Sequence, residues 1–280
     1  MMSGFGRRVV TAGVLAPLMI GAVLVLPTPV FAVALGGVIL LAAWEWSRII
    51  GWTAPGIRWA YTLAFVPVLG IAYGATFAYA AWLAVLALAM LGWLVATLGV
   101  VRFQRGHDMP AAWNSIPVRI TAGLLVLVPP WMALIGLHAE GEGGRHSVIF
   151  FMVVIWAADT SAFLVGRRWG TRRLASRVSP GKSWEGAGAA LLAGAMLAAL
   201  GAGFLGVAGG RLLPFISLCM MVVAVSILGD LAESLCKRQA GMKDSGSLLP
   251  GHGGVLDRID SMTSAAPFFV LTLQWLRALG

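Results

Sequence analysis

The C-terminal half of this chain gathers the residue types that bind and transfer phosphate. Seven of its 11 acidic residues fall from position 159 onward: Asp159, Glu185, Asp230, Glu233, Asp244, Asp257 and Asp260. In GDLAESLCKR, Asp230, Glu233, Ser234 and Lys237 stand at i, i+3, i+4 and i+7, so on a helix they share one face. That face begins inside an apolar run and ends at the basic pair Lys237 and Arg238. A helix in lipid gains nothing from such a stripe unless it faces a polar cavity. A Glu233–Lys237 pair along the helix accounts for two of the four groups. Asp230 lies deeper and remains as a candidate for chemistry.

The segment that follows, KDSGSLLPGHGGVLDRIDS, joins a loop to two more acids. Pro250-Gly251-His252-Gly253-Gly254 does not read as helix, and its glycines let a ligand approach the backbone closely. Asp257 and Asp260 then lead into a last apolar run, three residues apart and so on one face. Carboxylates at a helix start offer hard oxygen ligands to a divalent ion, and Mg2+ typically takes one or two carboxylates together with substrate phosphates. Lys237, Arg238, Lys243 and Arg258 surround them with phosphate-binding charge.

Two segments upstream extend the set. Asp159 sits mid-run in WAADTSAFLVG, where a charge costs about 2.5–3.5 kcal/mol on insertion scales. Ser179-Pro180-Gly181-Lys182-Ser183 has the content of a phosphate loop without P-loop spacing. Alone it is a weak signal. Its weight comes from lying on the same membrane face as the other groups.

The elements that must position these residues are membrane helices. The 280 residues are 59% hydrophobic and 11% charged, with mean hydropathy +0.89; a soluble domain carries roughly 25% charge. A hydrocarbon core of about 30 Å needs about 20 apolar residues per helix. Nine runs qualify, near 9–26, 30–46, 59–78, 80–100, 120–137, 147–165, 187–207, 214–235 and 264–279. The first, preceded by Arg7 and Arg8, has the look of a signal peptide. The runs behind it favour a retained span. The expected fold is an all-α polytopic bundle, with N-terminal helices over 1–137 and a catalytic region over 147–280. With the N-terminus in the cytoplasm and spans alternating, 17 of the 20 basic residues fall on the cytoplasmic side. Only Arg145, Arg211 and Arg277 fall outside, a strong positive-inside bias. Glu45, between Trp44 and Trp46, lies at a cytoplasmic helix end and reads as part of an interface anchor. Cys219 and Cys236, one in an apolar run and one beside a basic pair, do not suggest a disulfide framework.

Taken together, the segments resemble the phosphatidate cytidylyltransferase, or CDP-diacylglycerol synthase, family. The pattern runs Ser234-x-x-Lys237-Arg238-x4-Lys243-Asp244, then Pro250-Gly251-His252-Gly253-Gly254-x-x-Asp257-Arg258-x-Asp260-Ser261, with no departure from the family signature. Asp159-x-x-Ala162-Phe163 and the segment from Ser179 to Gly186 also fit, with Phe163 and Ser183 where the family often has tyrosine and threonine. The motifs cover roughly residues 156–262. The resemblance implies transfer of CMP from CTP to phosphatidic acid in the cell inner membrane, with Mg2+, a monovalent cation such as K+, and a homodimer. It gives Asp230, Asp257 and Lys237 catalytic roles and Asp230 and Asp257 the metal. Substrate binding falls to Asp159, Ser179, Lys182, Ser234, Arg238, Lys243, Asp244, His252, Gly253, Gly254, Arg258 and Asp260.

Rival readings fit less well. An intramembrane prenyltransferase would show paired Asp-x-x-x-Asp motifs, and a transporter would show related halves with broken helices. Neither pattern is present, and no nucleic-acid module or internal repeat is found.

Overall fold

The computed structural model describes residues 4–207, 209–246, 248 and 253–278. Nine α-helices run through them: α1 Gly4–Val25, α2 Thr28–Ile50, α3 Pro55–Thr76, α4 Tyr79–Gln104, α5 Ile116–Ala139, α6 Glu142–Trp169, α7 Trp184–Gly201, α8 Leu212–Gln239 and α9 Leu256–Ala278. Each apolar run of the sequence lies mainly on one helix. Helix is the expected answer in lipid, because each backbone group must be bonded within its own segment. The breaks have local causes. Pro27 precedes α2, Gly51 closes it at φ 105°, and Pro55 opens α3. The boundary between the third and fourth runs falls at Phe77 and Ala78.

Among the described residues, seven helices, α2 to α8, are long and apolar enough to cross a membrane. Large apolar side chains such as Val33, Ile71, Leu94, Leu164, Leu192 and Leu213 stay exposed on them. So much exposed apolar surface suits lipid rather than water. The chain is an all-α, multi-pass membrane protein. Helix α9 has 23 residues, but its first turns carry Asp257, Arg258 and Asp260, which lower its hydropathy.

The core runs through the whole bundle. Phe31 and Trp46 on α2, Phe65 on α3, Leu127 on α5, Phe151 on α6, Phe215 on α8 and Phe269 on α9 are all buried in one cluster. Helix α9 packs against α8, α5 and α4, with lighter contact to α2 and α6. The α8–α9 approach needs Gly229, where a Cβ would collide with the Ser264 hydroxyl.

Polar contacts sort the helix ends into two sets. At one end Arg119, opening α5, donates to the Ile49 carbonyl at 2.9 Å, and Arg177 donates to the Phe103 carbonyl at 2.7 Å. At the other end His138 meets the Val23 carbonyl at 2.9 Å, and Arg277 pairs with Glu140 at 2.6 Å.

One feature departs from an all-helical chain. Between α6 and α7, β1 Arg173–Ala175 and β2 Ser179–Ser183 form an antiparallel hairpin, with Arg173 opposite Ser183 and Ala175 opposite Ser179. Ala175 and Val178 bury against Trp93 of α4 and Leu231 and Leu235 of α8. Arg177 lies over the Phe103 ring at 4.7 Å, and Gln104 bonds the Ser176 hydroxyl at 3.0 Å. This packing makes the loop a fixed platform.

Candidate active site

The hairpin places Lys182. Its Nζ lies 2.6 Å from Asp230 Oδ2 on α8 and donates to the Ile227 carbonyl at 3.4 Å. Ser183, next along, caps α7 by accepting from the Gly186 amide at 3.1 Å. Glu185 takes the Thr171 hydroxyl at 2.7 Å. Lys182 is thus held between a sheet and a helix start.

The stripe on α8 forms as its spacing requires. Ser234 Oγ donates to Asp230 Oδ1 at 3.3 Å. One turn on, Lys237 Nζ lies 3.1 Å from Glu233 Oε1. The Glu233 carboxylate is 2% exposed, and Lys237 is the cation that it pairs with. Lys237 also donates to Asp257 Oδ1 at 2.6 Å, across to the first turn of α9. One buried ammonium therefore ties two helices together.

Asp257 is the most heavily bonded acid at this end. Besides Lys237, it accepts from the Ser245 amide at 3.0 and 3.2 Å and from the Gly254 amide at 2.9 Å. Gly253, at φ +80°, has its would-be Cβ 2.9 Å from Asp257 Oδ2. The close backbone approach expected from these glycines is made here to the chain's own carboxylate. Asp260 accepts from the Ser261 amide at 2.8 Å. Asp159, on α6, lies within electrostatic reach of Ser261, Asp230, Lys182 and Arg258.

Four elements thus converge: α6 with Asp159, β2 with Lys182, α8 with Asp230, Ser234 and Lys237, and α9 with Asp257, Arg258 and Asp260. Ser179 lies half-buried at the start of β2. Arg238, Lys243, Asp244 and Arg258 are exposed and make no ion pair among the described residues. His252 lies outside the described residues.

Glu45 requires a correction. It is no interface anchor: it is 2% exposed and faces the segment before α9. It accepts from Ser245 Oγ at 2.9 Å, the Val255 amide at 3.0 Å and the Leu256 amide at 2.8 Å. Three residues on, Arg48 donates to the Ser245 carbonyl at 3.3 Å. Glu45's neighbour Trp44 is half-buried beneath the Arg58 guanidinium at 3.8 Å.

The donor set suits a divalent ion. Asp230 and Asp257 offer hard oxygens, and each already holds a lysine ammonium at 2.6 Å as a stand-in cation. No group of three or more candidate ligands occurs among the described residues; Mg2+ needs only one or two carboxylates when phosphates supply the rest.

The sequence matches the model of the cytidylyltransferase family over residues 6–276. The chain belongs to this family. It is 41% identical to the phosphatidate cytidylyltransferase of Pseudomonas aeruginosa over 98% of both chains. The Haemophilus influenzae enzyme of the same name is 35% identical, covering 94% of this chain and 96% of that one. A chloroplastic phosphatidate cytidylyltransferase from Arabidopsis thaliana is 32% identical over 92% of this chain and 69% of its own length. Family membership makes the chain a nucleotidyltransferase and extends the motif-level resemblance of 156–262 to nearly the whole sequence. The N-terminal helices, which showed only hydropathy and a tryptophan cluster, are therefore part of the family's own architecture, and Glu45 among them reaches the site.

Proposed function

We propose that this protein is a phosphatidate cytidylyltransferase that converts CTP and phosphatidic acid to CDP-diacylglycerol and pyrophosphate. The observation that carries the reading is the convergence of acids and lysines from α6, β2, α8 and α9 at one end of a membrane bundle, in a chain of this family. In the reaction, an oxygen of the lipid phosphate forms a bond to the α-phosphorus of CTP. The bond from that phosphorus to the bridging oxygen breaks, and pyrophosphate leaves with the electron pair. Such a transfer needs alignment and charge neutralisation more than a protein nucleophile.

Each residue then has a task. Lys182, on its fixed hairpin, and the exposed Arg258 bind phosphate oxygens. Arg238 and Lys243 draw anions toward the site. Lys237, buried between Glu233 and Asp257, sets the Asp257 carboxylate's position and charge. Asp230 and Asp257 are the residues to hold Mg2+, which would stabilise charge developing on the phosphates. A monovalent cation and a homodimer belong to the same reading through the family resemblance. Nine spans belong to it on the strength of the apolar runs, and a cytoplasmic N-terminus and a cytoplasm-facing site in the inner membrane are supported by the basic residues grouped at one bundle end.

The test is an assay of purified protein with radiolabelled CTP and phosphatidic acid. CDP-diacylglycerol should form only with a divalent cation, and ATP and GTP should be poor donors. Equal turnover with ATP, or full activity in excess chelator, would overturn the reading.

A further inference from the structure

The segment from Ser245 to Leu256 is held at both ends by two carboxylates. Asp257 takes the backbone amides of Ser245 and Gly254. Glu45 takes the Ser245 hydroxyl and the amides of Val255 and Leu256. The partners interleave, so Ser245 is bonded to both acids at once, and Arg48 fixes its carbonyl from the same face of α2. The two amides that Glu45 accepts lie at the opening of α9, where donors have no acceptor inside the helix. Two glycines make room for it: a Cβ at Gly246 or at Gly254 would collide with the Glu45 carboxylate. An acid more than 200 residues away in sequence therefore determines where α9 begins and where Asp257 stands.

We propose that Glu45 is a positioning residue for the transfer reaction, closing the Ser245–Leu256 segment from outside so that Asp257 and Lys237 keep their working geometry. This rests on the functional reading above. The demand on Glu45 is specific to a carboxylate. Oε1 serves Val255, while Oε2 serves both Ser245 and Leu256. Glutamine keeps the shape but has one oxygen, so its amide nitrogen must face at least one backbone N–H, a contact between two donors. Aspartate keeps both oxygens but is one methylene too short to span both ends.

A residue that only supported folding would lower the amount of folded protein without changing turnover per folded molecule. A positioning residue acts on alignment, so kcat should fall while substrate affinity changes little. Glu45→Gln, purified as a monodisperse peak in detergent, should lose about 30-fold in kcat, with KM for CTP within about threefold. Tryptic cleavage between Lys237 and Arg258 should accelerate relative to cleavage in the hairpin at Arg177, a readout that needs no substrate. Gly246→Ala displaces the Glu45 carboxylate without altering its charge and should reproduce both effects; it carries the test if Glu45→Gln does not accumulate. Unchanged kcat in the purified variant, or lost activity with an unchanged cleavage ratio, would overturn the proposal. A wild-type protein inactive with CTP and phosphatidic acid would instead overturn the functional reading, and the cleavage ratio alone would then decide the clamp.

Discussion

Two lysine–aspartate pairs stand in this site at the same N···O distance, 2.6 Å, and differ in nearly everything else. In Lys182–Asp230 both side chains are about a quarter exposed, at 24% and 25%, and Asp230 has one further weak donor, Ser234. In Lys237–Asp257 the exposures are 7% and 8%, two backbone amides share the aspartate, and Glu233 shares the lysine. An exposed pair is screened, and each partner can exchange its counterion for another at little cost. A buried pair has no such freedom, because removing one member strands the other away from water. The first pair is therefore built to open for phosphate and metal, while the second holds two helices and the segment between them in place.

The largest effect should come from breaking the buried pair. Asp257→Asn leaves Lys237 with Glu233 alone and presents an amide NH2 to donors that now meet a carboxylate. Losing one partner of a buried pair costs about 3–5 kcal/mol, or roughly 5–9 °C in unfolding midpoint for a chain of 280 residues. Thermal unfolding in detergent should show that drop, with activity falling below detection. An unfolding midpoint within about 2 °C of wild type would mean that the pair does not hold the bundle.

Asp230→Asn should separate activity from stability. The partly exposed pair contributes about 1 kcal/mol or less to folding, so the midpoint should hardly move. Activity should still fall about 100-fold or more, equivalent to about 2.7 kcal/mol of transition-state stabilisation. Asp108, exposed in the loop after α4 and without a side-chain partner among the described residues, serves as the control. Equal destabilisation by the Asp230 and Asp257 changes would erase the division between the pairs.

The sequence treats these two aspartates alike, as acids beside basic residues in one motif, and what separates them is tertiary. The motif, the helices and the α8 stripe were legible because they are local: apolar run length sets helix existence, and i, i+3, i+4, i+7 spacing sets a shared face. The burial of Asp257 depends on Lys237 and on the Ser245 amide, 20 and 12 residues away, whose approach no local period encodes. The hairpin was hidden for another reason. Its strands are three and five residues long and carry arginine, serine, proline and glycine, which read as loop. Only the burial of Ala175 and Val178 against α4 and α8 makes it a sheet. Glu45 was hidden most completely, because its partners lie 200 to 211 residues away. A lone acid between two tryptophans at a helix end carries no sign of which way it turns. The signal available was its rarity: Glu45 is the only acid in the first 107 residues, and an acid at that depth needs donors.

The smallest of these effects should be the most informative about the open pair. Lys182→Gln removes the ammonium from Asp230 without touching the buried network, and the hairpin that carries it is fixed by Ala175, Val178 and Arg177 rather than by Lys182. Stability should change by less than about 1 kcal/mol. Two opposed consequences follow for catalysis. Losing a phosphate-binding charge should raise KM for CTP by about tenfold, the equivalent of about 1.4 kcal/mol. Losing the cation that competes for Asp230 should at the same time lower the Mg2+ concentration needed for half-maximal activity. A titration of Mg2+ at saturating CTP isolates the second effect from the first. A leftward shift of the Mg2+ curve would identify the Lys182 ammonium as the occupant that the metal displaces. An unchanged or right-shifted curve would mean that Lys182 and the metal act together on the triphosphate, and that the open pair does not open for the ion.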